Sequence, residues 1–484
     1  PPGLPVLGHL FNLTPKVFLH DVMERAKQYG PFMQLNVFNE VFLVITDADT
    51  VKEALLKRPK TFRRPRLFEP PFTALDMWPH SLFVAEGSVW NRLRKATSAP
   101  FNKQNVGNMG PSIAIEVAAA VKRLEDSLGE VVAEVGEEVM RLTLRIIIRV
   151  ALGDVSMLDN YFQDNQLYSD SRVVFDFMIE RSLFPLHDIF WKIFYGGLER
   201  EAKRCQSNIN RVVTKIVEME RENSKSEKVS ADIPAAKTKS YIQILCKDFS
   251  NNSEADISNA EIVSNVTTLL LAGSETTSVS VTWAMYFLSL DAALLQQARE
   301  EATAYFGPVL KDSSSVDFAK FLLGDDQNKA HLKSRFPFCA ACFKEVLRLC
   351  GPAAFVGLQL VDDTKPVEMS NGIVVQPGDT LFCYADGVQR DPEVFEDPER
   401  FNPGRWIDSS PEKLEAMNAH YFSFGAGPRV CPGMGLAYFE GELILAALIS
   451  CFDFELACDP SDVKRVLSFT AQPNRVPMKF FKRK

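Results

Sequence analysis

Phe424-Gly425-Ala426-Gly427-Pro428-Arg429-Val430-Cys431-Pro432-Gly433 sets three glycines and two prolines into ten residues. Such a stretch folds as a rigid, tightly turned loop, and an apolar helical run from about Pro432 through Ala447-Leu-Ile-Ser450 starts just past its cysteine. A cysteine at a helix N-terminus feels the positive end of the dipole and neighbouring amide donors, both of which favour the thiolate. Glycine lets another group approach the backbone closely. A flat, bulky cofactor stacked on the loop suits these residues; a structural glycine turn with a buried thiol is the plainer alternative.

Outward from this loop, composition narrows the classes. The chain has 484 residues, 46% hydrophobic and 24% charged, within the range of folded globular proteins. A balance of 54 basic against 62 acidic residues gives −8 and argues against nucleic acid as a partner. Nine scattered cysteines, an odd number, indicate reduced thiols in a cytosolic setting and not a disulfide framework. No run of eighteen uninterrupted apolar residues occurs.

Residues 15–29 read as an amphipathic helix, and MQLNVF and VFLVIT around Asn39-Glu40 as a β-hairpin. Helical periodicity dominates from about 88 to 221, and a long helix runs from Ser258 to Leu290. Residues 223–240 read as a surface loop and 324–335 as a surface insertion. After Leu349, Asn371-Gly372 and Pro377-Gly378 punctuate short β-type runs. With no repeat or linker, the fold class is mainly α with a small β portion (α+β), in one domain over 1–484.

Three further patterns stand in order ahead of the loop. Trp90 and Arg94 are at i and i+4 on one helix face. The long helix carries Ala272-Gly273-Ser274-Glu275-Thr276-Thr277, where glycine costs ~1 kcal/mol against alanine and threonine can bend the helix by bonding back to a carbonyl. Glu345 and Arg348 share a face at i and i+3, with Arg400 following in Asp397-Pro-Glu-Arg400. Taken singly, these are a basic amphipathic helix, a small-residue helix crossing and a solvated ion pair.

Together they resemble the cytochrome P450 family. Phe424, Gly427, Arg429, Cys431 and Gly433 match its FxxGxRxCxG signature, Trp90 and Arg94 its WxxxR helix, and Ala272–Thr277 its oxygen-binding helix. The resemblance implies the cytochrome P450 fold, with haem b held between the long helix and the cysteine loop. It makes Cys431 the thiolate ligand of the iron, pushing electron density toward O–O cleavage. Phe424, Gly427 and Gly433 pack beside it, and Arg429, Arg94 and Trp90 meet the propionates. Ala272 and Gly273 leave room over the haem, while Glu275 and Thr276 deliver protons. Glu345, Arg348 and Arg400 form a structural triad. One departure matters: the strand after Arg348, AAFVGLQL, lacks the basic propionate partner that many members carry.

The resemblance also suggests a pocket drawn from Phe68, Phe72, Trp78, Phe83, Leu269, Ala272, Phe355, Val356 and Phe469. That lining suits an apolar, lipid-like, sterol-like or terpenoid substrate. No GxGxxG follows a predicted strand, so electrons must come from another protein, an NADPH-dependent cytochrome P450 reductase, with cytochrome b5 as a further candidate. Arg92, Arg94, Lys95, Lys103 and Arg429 are candidates for its basic docking face. Residues 1–14 resemble the proline-rich hinge that follows the membrane anchor of microsomal members. This places the protein on the cytosolic face of the endoplasmic reticulum, with a soluble cytosolic location as the alternative. Beside a monooxygenase using O2 stand two other readings: a haem-thiolate isomerase or dehydratase of lipid hydroperoxides, and a haem gas sensor. Glu275-Thr276 favours the first, because rearranging a peroxide needs no protonation of bound oxygen.

Overall fold

The structure, a computed structural model, describes residues 1–13, 18–66, 69–75, 80–126, 133–153, 160–163, 166–183, 188–227, 240–248, 257–310 and 336–483. Phe68, Trp78 and the expected insertion at 324–335 lie outside these residues.

The N-terminal part is a small sheet with one helix. Helix α1 (Phe18–Tyr29) precedes β1 (Phe32–Val37) and β2 (Glu40–Ile45), which pair antiparallel from Phe32 opposite Ile45 to Val37 opposite Glu40. Alternation along β1 buries Met33, Leu35 and Val37, as a half-buried strand requires. The proline-rich start docks onto this hairpin: the His9 amide donates to the Asn36 carbonyl at 2.7 Å, and the His9 ring is buried. Then follow α2 (Ala48–Leu56), capped by Asp47, and the two-residue strand β3 (Phe62–Arg63).

The helical part follows: α3 (Glu69–Ala74), α4 (Gly87–Ser98), α5 (Lys103–Asp126), the short β4 (Ala133–Glu134), α6 (Val135–Leu152), α7 (Asn160–Gln163), α8 (Gln166–Leu183) and α9 (Asp188–Glu227). The expected loop at 223–240 starts later than the sequence suggested. Helix α9 continues through Lys225-Ser-Glu227, because lysine and glutamate propagate a helix well; 228–239 lie outside the described residues. Next come α10 (Tyr241–Asp248), α11 (Asn259–Leu290), α12 (Ala292–Leu310) and α13 (Pro337–Cys350).

After α13 come β5 (Val356–Leu360), β6 (Val367–Glu368), β7 (Val374–Val375), β8 (Thr380–Cys383), α14 (Ala385–Val388), α15 (Pro411–Ala419) and α16 (Met434–Cys451). Strands β9 (Phe452–Leu456), β10 (Arg465–Leu467), β11 (Ala471–Pro473) and β12 (Pro477–Lys482) finish the chain. The main sheet has the order β1-β2-β8-β5-β3, and its β2–β8 pair is parallel. Strands β6–β7 and β10–β11 form hairpins, and β4-β12-β9 a third small sheet.

Helix α11 is the central beam, packed against α6, α9, α13 and α16. Ser258 caps it in a reciprocal capping box with Glu261. Its many hydroxyls are buried cheaply because they bond back to carbonyls one turn earlier, Ser274 to Leu270 and Thr282 to Ser278 among them. Helix α16 is long and apolar enough to cross a bilayer, but it is mostly buried in the protein core.

Candidate active site

The cysteine loop owes its path to two glycines. Gly425 and Gly427 take φ of 71° and 68°, in the left-handed region. At Gly427 a Cβ would also come within 2.9 Å of the Leu55 carbonyl oxygen at the end of α2, so only glycine fits. The loop then closes on itself, with the Cys431 amide donating to the Phe424 carbonyl at 3.0 Å. The Phe424 ring lies 5.2 Å from that of Tyr438 on α16. Helix α16 begins at Met434 with Gly433 as its cap, so Cys431 sits at a helix N-terminus. Burial pushes the Cys431 thiol up in the protein alone, opposed by the Gly433 and Met434 amides and by Arg94. The expected preference for thiolate is thus present as a pull and outweighed by desolvation.

Beside this loop lies a cluster of guanidinium groups that the sequence motifs only half disclosed. Arg429 donates to the Ala85 carbonyl at 2.7 Å, pairs with Glu86 at 2.5 Å, and lies over the Trp90 ring at 4.3 Å. Arg94 donates to the Val430 carbonyl at 3.0 Å, beside the cysteine. Arg58 lies 3.7 Å from the same Glu86. The Arg64 amide donates to Glu86 at 3.1 Å, and its guanidinium sits 4.3 Å over Phe83. Burial lowers Arg429 to about 10 and Arg64 to about 9. The Nε atoms of Arg58, Arg64 and Arg429 are all buried without a hydrogen-bond partner. Four guanidinium groups thus gather around this loop with one carboxylate, Glu86, among them, so positive charge is in excess there.

That excess tests whether haem fits. Haem b carries two propionate carboxylates and one iron, and an excess of cations beside a half-buried thiol suits both. Arg58 and Arg64 are two bases joined to this cluster through Glu86, where β5, within AAFVGLQL, supplies none. They escaped the sequence reading because their link to Arg429 is made through Glu86, several hundred residues away in the chain. By contrast, Arg92 pairs with Glu261 at 2.5 Å. Of the five expected docking cations, Arg92, Arg94 and Arg429 are therefore engaged in internal contacts, and Lys95 and Lys103 are exposed.

On the other side stands α11. Thr268, Leu269, Ala272, Gly273 and Thr276 are partly exposed, while most of their neighbours on the helix are buried. Their spacing places them on one face, an open strip along an otherwise enclosed helix. A Cβ on Gly273 would come within 2.9 Å of Ile147, so glycine also lets α6 pack close. The Thr276 hydroxyl donates to the Ala272 carbonyl at 2.8 Å. Glu275 is buried; its Oε1 accepts from the Thr470 hydroxyl at 2.9 Å, and its Oε2 has no partner. Burial raises its carboxyl to about 8, so it is largely neutral at pH 7.

Four aromatic rings form a wall near this acid. Phe83 meets Phe72 at 5.6 Å and Phe469 at 6.5 Å, and Phe469 stacks on Phe175 of α8 at 5.2 Å. Phe175 was missed, because α8 gives no motif to mark it. Two expected pocket residues belong elsewhere. The Phe355 ring is engaged by Phe18 at 5.3 Å and Phe382 at 5.0 Å, in the core under the N-terminal sheet. Val356 packs against the separate core cluster that contains Leu358, Leu381 and Phe422. Val356 starts β5 opposite Cys383 of β8, and Phe355 immediately precedes it, so both lie where this strand enters the sheet.

The expected triad needs one correction. Arg348 makes a bidentate pair with Glu345 at 2.9 and 2.8 Å. The second guanidinium on Glu345 is that of Arg405, at 2.9 Å, and not that of Arg400. Arg400 contributes its carbonyl oxygen, which accepts from Arg348 and Arg405. The reason is the 3-10 turn Pro403–Trp406, which points Arg405 inward and brings the Trp406 indole to Glu345 at 2.9 Å.

The comparisons agree with this architecture along almost the whole chain. The family model described as Cytochrome P450 matches residues 1–480. Salviol synthase of Salvia pomifera is 26% identical over 494 residues, covering 98% of this chain and 90% of that protein. The 3,9-dihydroxypterocarpan 6A-monooxygenase of Glycine max is 26% identical, covering 94% and 86%. Sarpagan bridge enzyme of Gelsemium sempervirens is 25% identical, covering 96% and 88%. With a cysteine loop at the start of α16, arginines gathered beside it and a family model matching residues 1–480, this chain belongs to the cytochrome P450 family.

Proposed function

We propose that this P450 monooxygenase oxygenates an apolar small molecule of lipid-like, sterol-like or terpenoid type. Electrons would come from a separate NADPH-dependent reductase at the cytosolic face of the endoplasmic reticulum, with cytochrome b5 as an auxiliary donor. The observation that carries the substrate class is the aromatic wall of Phe72, Phe83, Phe175 and Phe469 beside a carboxyl kept neutral by burial. A wall of that kind gains from apolar surface and offers no counter-charge to a charged ligand. A relative named 3,9-dihydroxypterocarpan 6A-monooxygenase supports oxygenation of a small organic molecule.

In this reading Cys431 holds the iron of haem b, and Arg58, Arg64, Arg94, Arg429 and Trp90 hold its propionate edge. Phe424, Gly427 and Gly433 shape the loop against the ring. Bound there, haem supplies reductive activation of O2, with one oxygen atom going to the substrate and the other leaving as water. The chain's own residues supply position and protons. Ala272 and Gly273 keep α11 low over the cleft, Leu269 borders it, and Glu275 holds a proton on its carboxyl beside the Thr276 hydroxyl. Glu345, Arg348 and Arg405 act as a fold lock.

A library of sterols, terpenoids and fatty acids, screened for the haem spectral change on water displacement, tests the reading. Apolar ligands should give the change and be oxygenated in the presence of a surrogate reductase. Turnover of added lipid hydroperoxides without any reductase would replace this reading with the isomerase.

A further inference from the structure

The C-terminal hairpin β10–β11 closes with a turn of three residues, Ser468-Phe469-Thr470, between paired Leu467 and Ala471. The Ser468 amide donates across it to the Thr470 carbonyl at 2.8 Å, so the turn moves as a unit. Its two central side chains have different partners. Phe469 stacks on Phe175 and meets Phe83 in the aromatic wall. Thr470, buried at 3% exposure, donates its hydroxyl to Glu275 on α11. Helix α8 repeats the arrangement: Phe175 is in the wall, and the next residue, Asp176, is with Arg172 a charged group acting on Glu275.

We propose that Thr470 is a positioning residue for Glu275, and that through the adjacent Phe469 it ties the orientation of this carboxyl to occupancy of the aromatic wall. The inference rests on the proton-delivery reading of Glu275. The Thr470 hydroxyl fixes Oε1, which leaves Oε2 as the atom able to carry and release a proton. A ligand seated on the wall displaces Phe469, carries Thr470 with it and frees the carboxyl to turn. Without a ligand the carboxyl stays held, so protons are not spent on oxygen that has no substrate. The groups that set its titration are the Thr470 hydroxyl and amide, which lower it, Asp176, which raises it, and Arg172, which lowers it; burial outweighs them all.

Infrared spectroscopy of the haem-loaded protein reads this directly. A protonated-carboxyl band present at pH 7 and absent in Glu275→Gln identifies the acid. In Thr470→Val, which keeps the shape and removes the donor, that band should shift, and its titration midpoint should rise by about one pH unit, a tenfold change. Thr470→Ser should restore both. A phenylimidazole, which would bind haem iron through its nitrogen and offer its ring to the wall, should shift the band in the native protein and not in Phe469→Ala. The Phe469→Ala arm keeps the test decisive even where Thr470→Val fails to hold haem. A band identical in native and Thr470→Val proteins overturns the positioning role, and one unmoved by the probe overturns the link to occupancy. Absence of any Glu275 band at pH 7 instead overturns the proton-delivery reading beneath it.

Discussion

Two buried arginine clusters in this molecule look alike by composition and differ in how completely they are satisfied. Around Glu345, Arg348 and Arg405 use two carboxylate oxygens and several backbone carbonyls, and the Trp406 indole and Asn402 amide add donors to the same acid. Around Glu86, the Arg58 and Arg429 guanidinium groups and the Arg64 backbone amide share one carboxylate, the Arg64 guanidinium lies over Phe83, and the Nε atoms of all three arginines are buried without a partner. Buried charge is tolerated when paired and fully bonded, and is costly otherwise. The first cluster is therefore complete within the chain, and the second keeps cationic charge that, in the proposed function, the haem propionates would offset. Satisfaction, more than the presence of charge, separates a fold lock from a cofactor cradle.

The largest effect expected is at the lock. Arg405→Ala leaves Glu345 short of a cation in the interior and should cost about 3–5 kcal/mol, the usual loss when one partner of a buried pair is removed. Chemical denaturation and the yield of haem-loaded protein measure it; full stability in this variant would break the contrast.

Glu275 lies between the two cases, with one oxygen bonded and one not. Its folded pKa, near 8, exceeds the unfolded value of 4.5, so within that window the native state keeps a proton that the unfolded state has lost. Stability should fall as pH rises from 4.5 to 8, at no more than about 1.4 kcal/mol per pH unit from this group. Glu275→Gln should lack that component. Equal pH slopes in the two proteins, followed by denaturant unfolding, would show that Glu275 is ionised when folded.

A smaller effect is expected at the cradle, with a sign that distinguishes it from the lock. Arg64→Gln removes part of an uncompensated charge, so the haem-free protein should lose no stability. Haem transfer to an acceptor such as apomyoglobin should become about tenfold faster, equivalent to ~1.4 kcal/mol. Unchanged transfer would remove Arg64 from the propionate edge. Smallest of all, Arg400→Ala should stay within about 0.5 kcal/mol of the native protein, since Arg400 serves through its backbone.

Local patterns made much of the site readable in advance. The cysteine loop, the Ala272–Thr276 strip and the Glu345–Arg348 pair each depend on spacing within one turn or one helix, where geometry follows from periodicity. What stayed hidden is contact between distant segments. Arg405 displaced Arg400 because a 3-10 turn, and not the nearest arginine to the motif, decides which guanidinium points inward. Thr470 meets Glu275 across 195 positions, and Glu86 joins Arg64 to Arg429 across more still. Strands of two residues such as β3 carry too little pattern to be seen, yet β3 pairs with β5, and Arg64, the residue after it, reaches Glu86.

The central claim is that Cys431 supplies the thiolate to haem iron, at the junction of the cysteine loop and α16. The carbon monoxide spectrum of the reduced protein tests it most directly, because sulfur donates far more charge to iron than oxygen does. The native protein should give the thiolate-type band, and Cys431→Ser should lose it while remaining folded. Persistence of that band in Cys431→Ser would contradict the assignment.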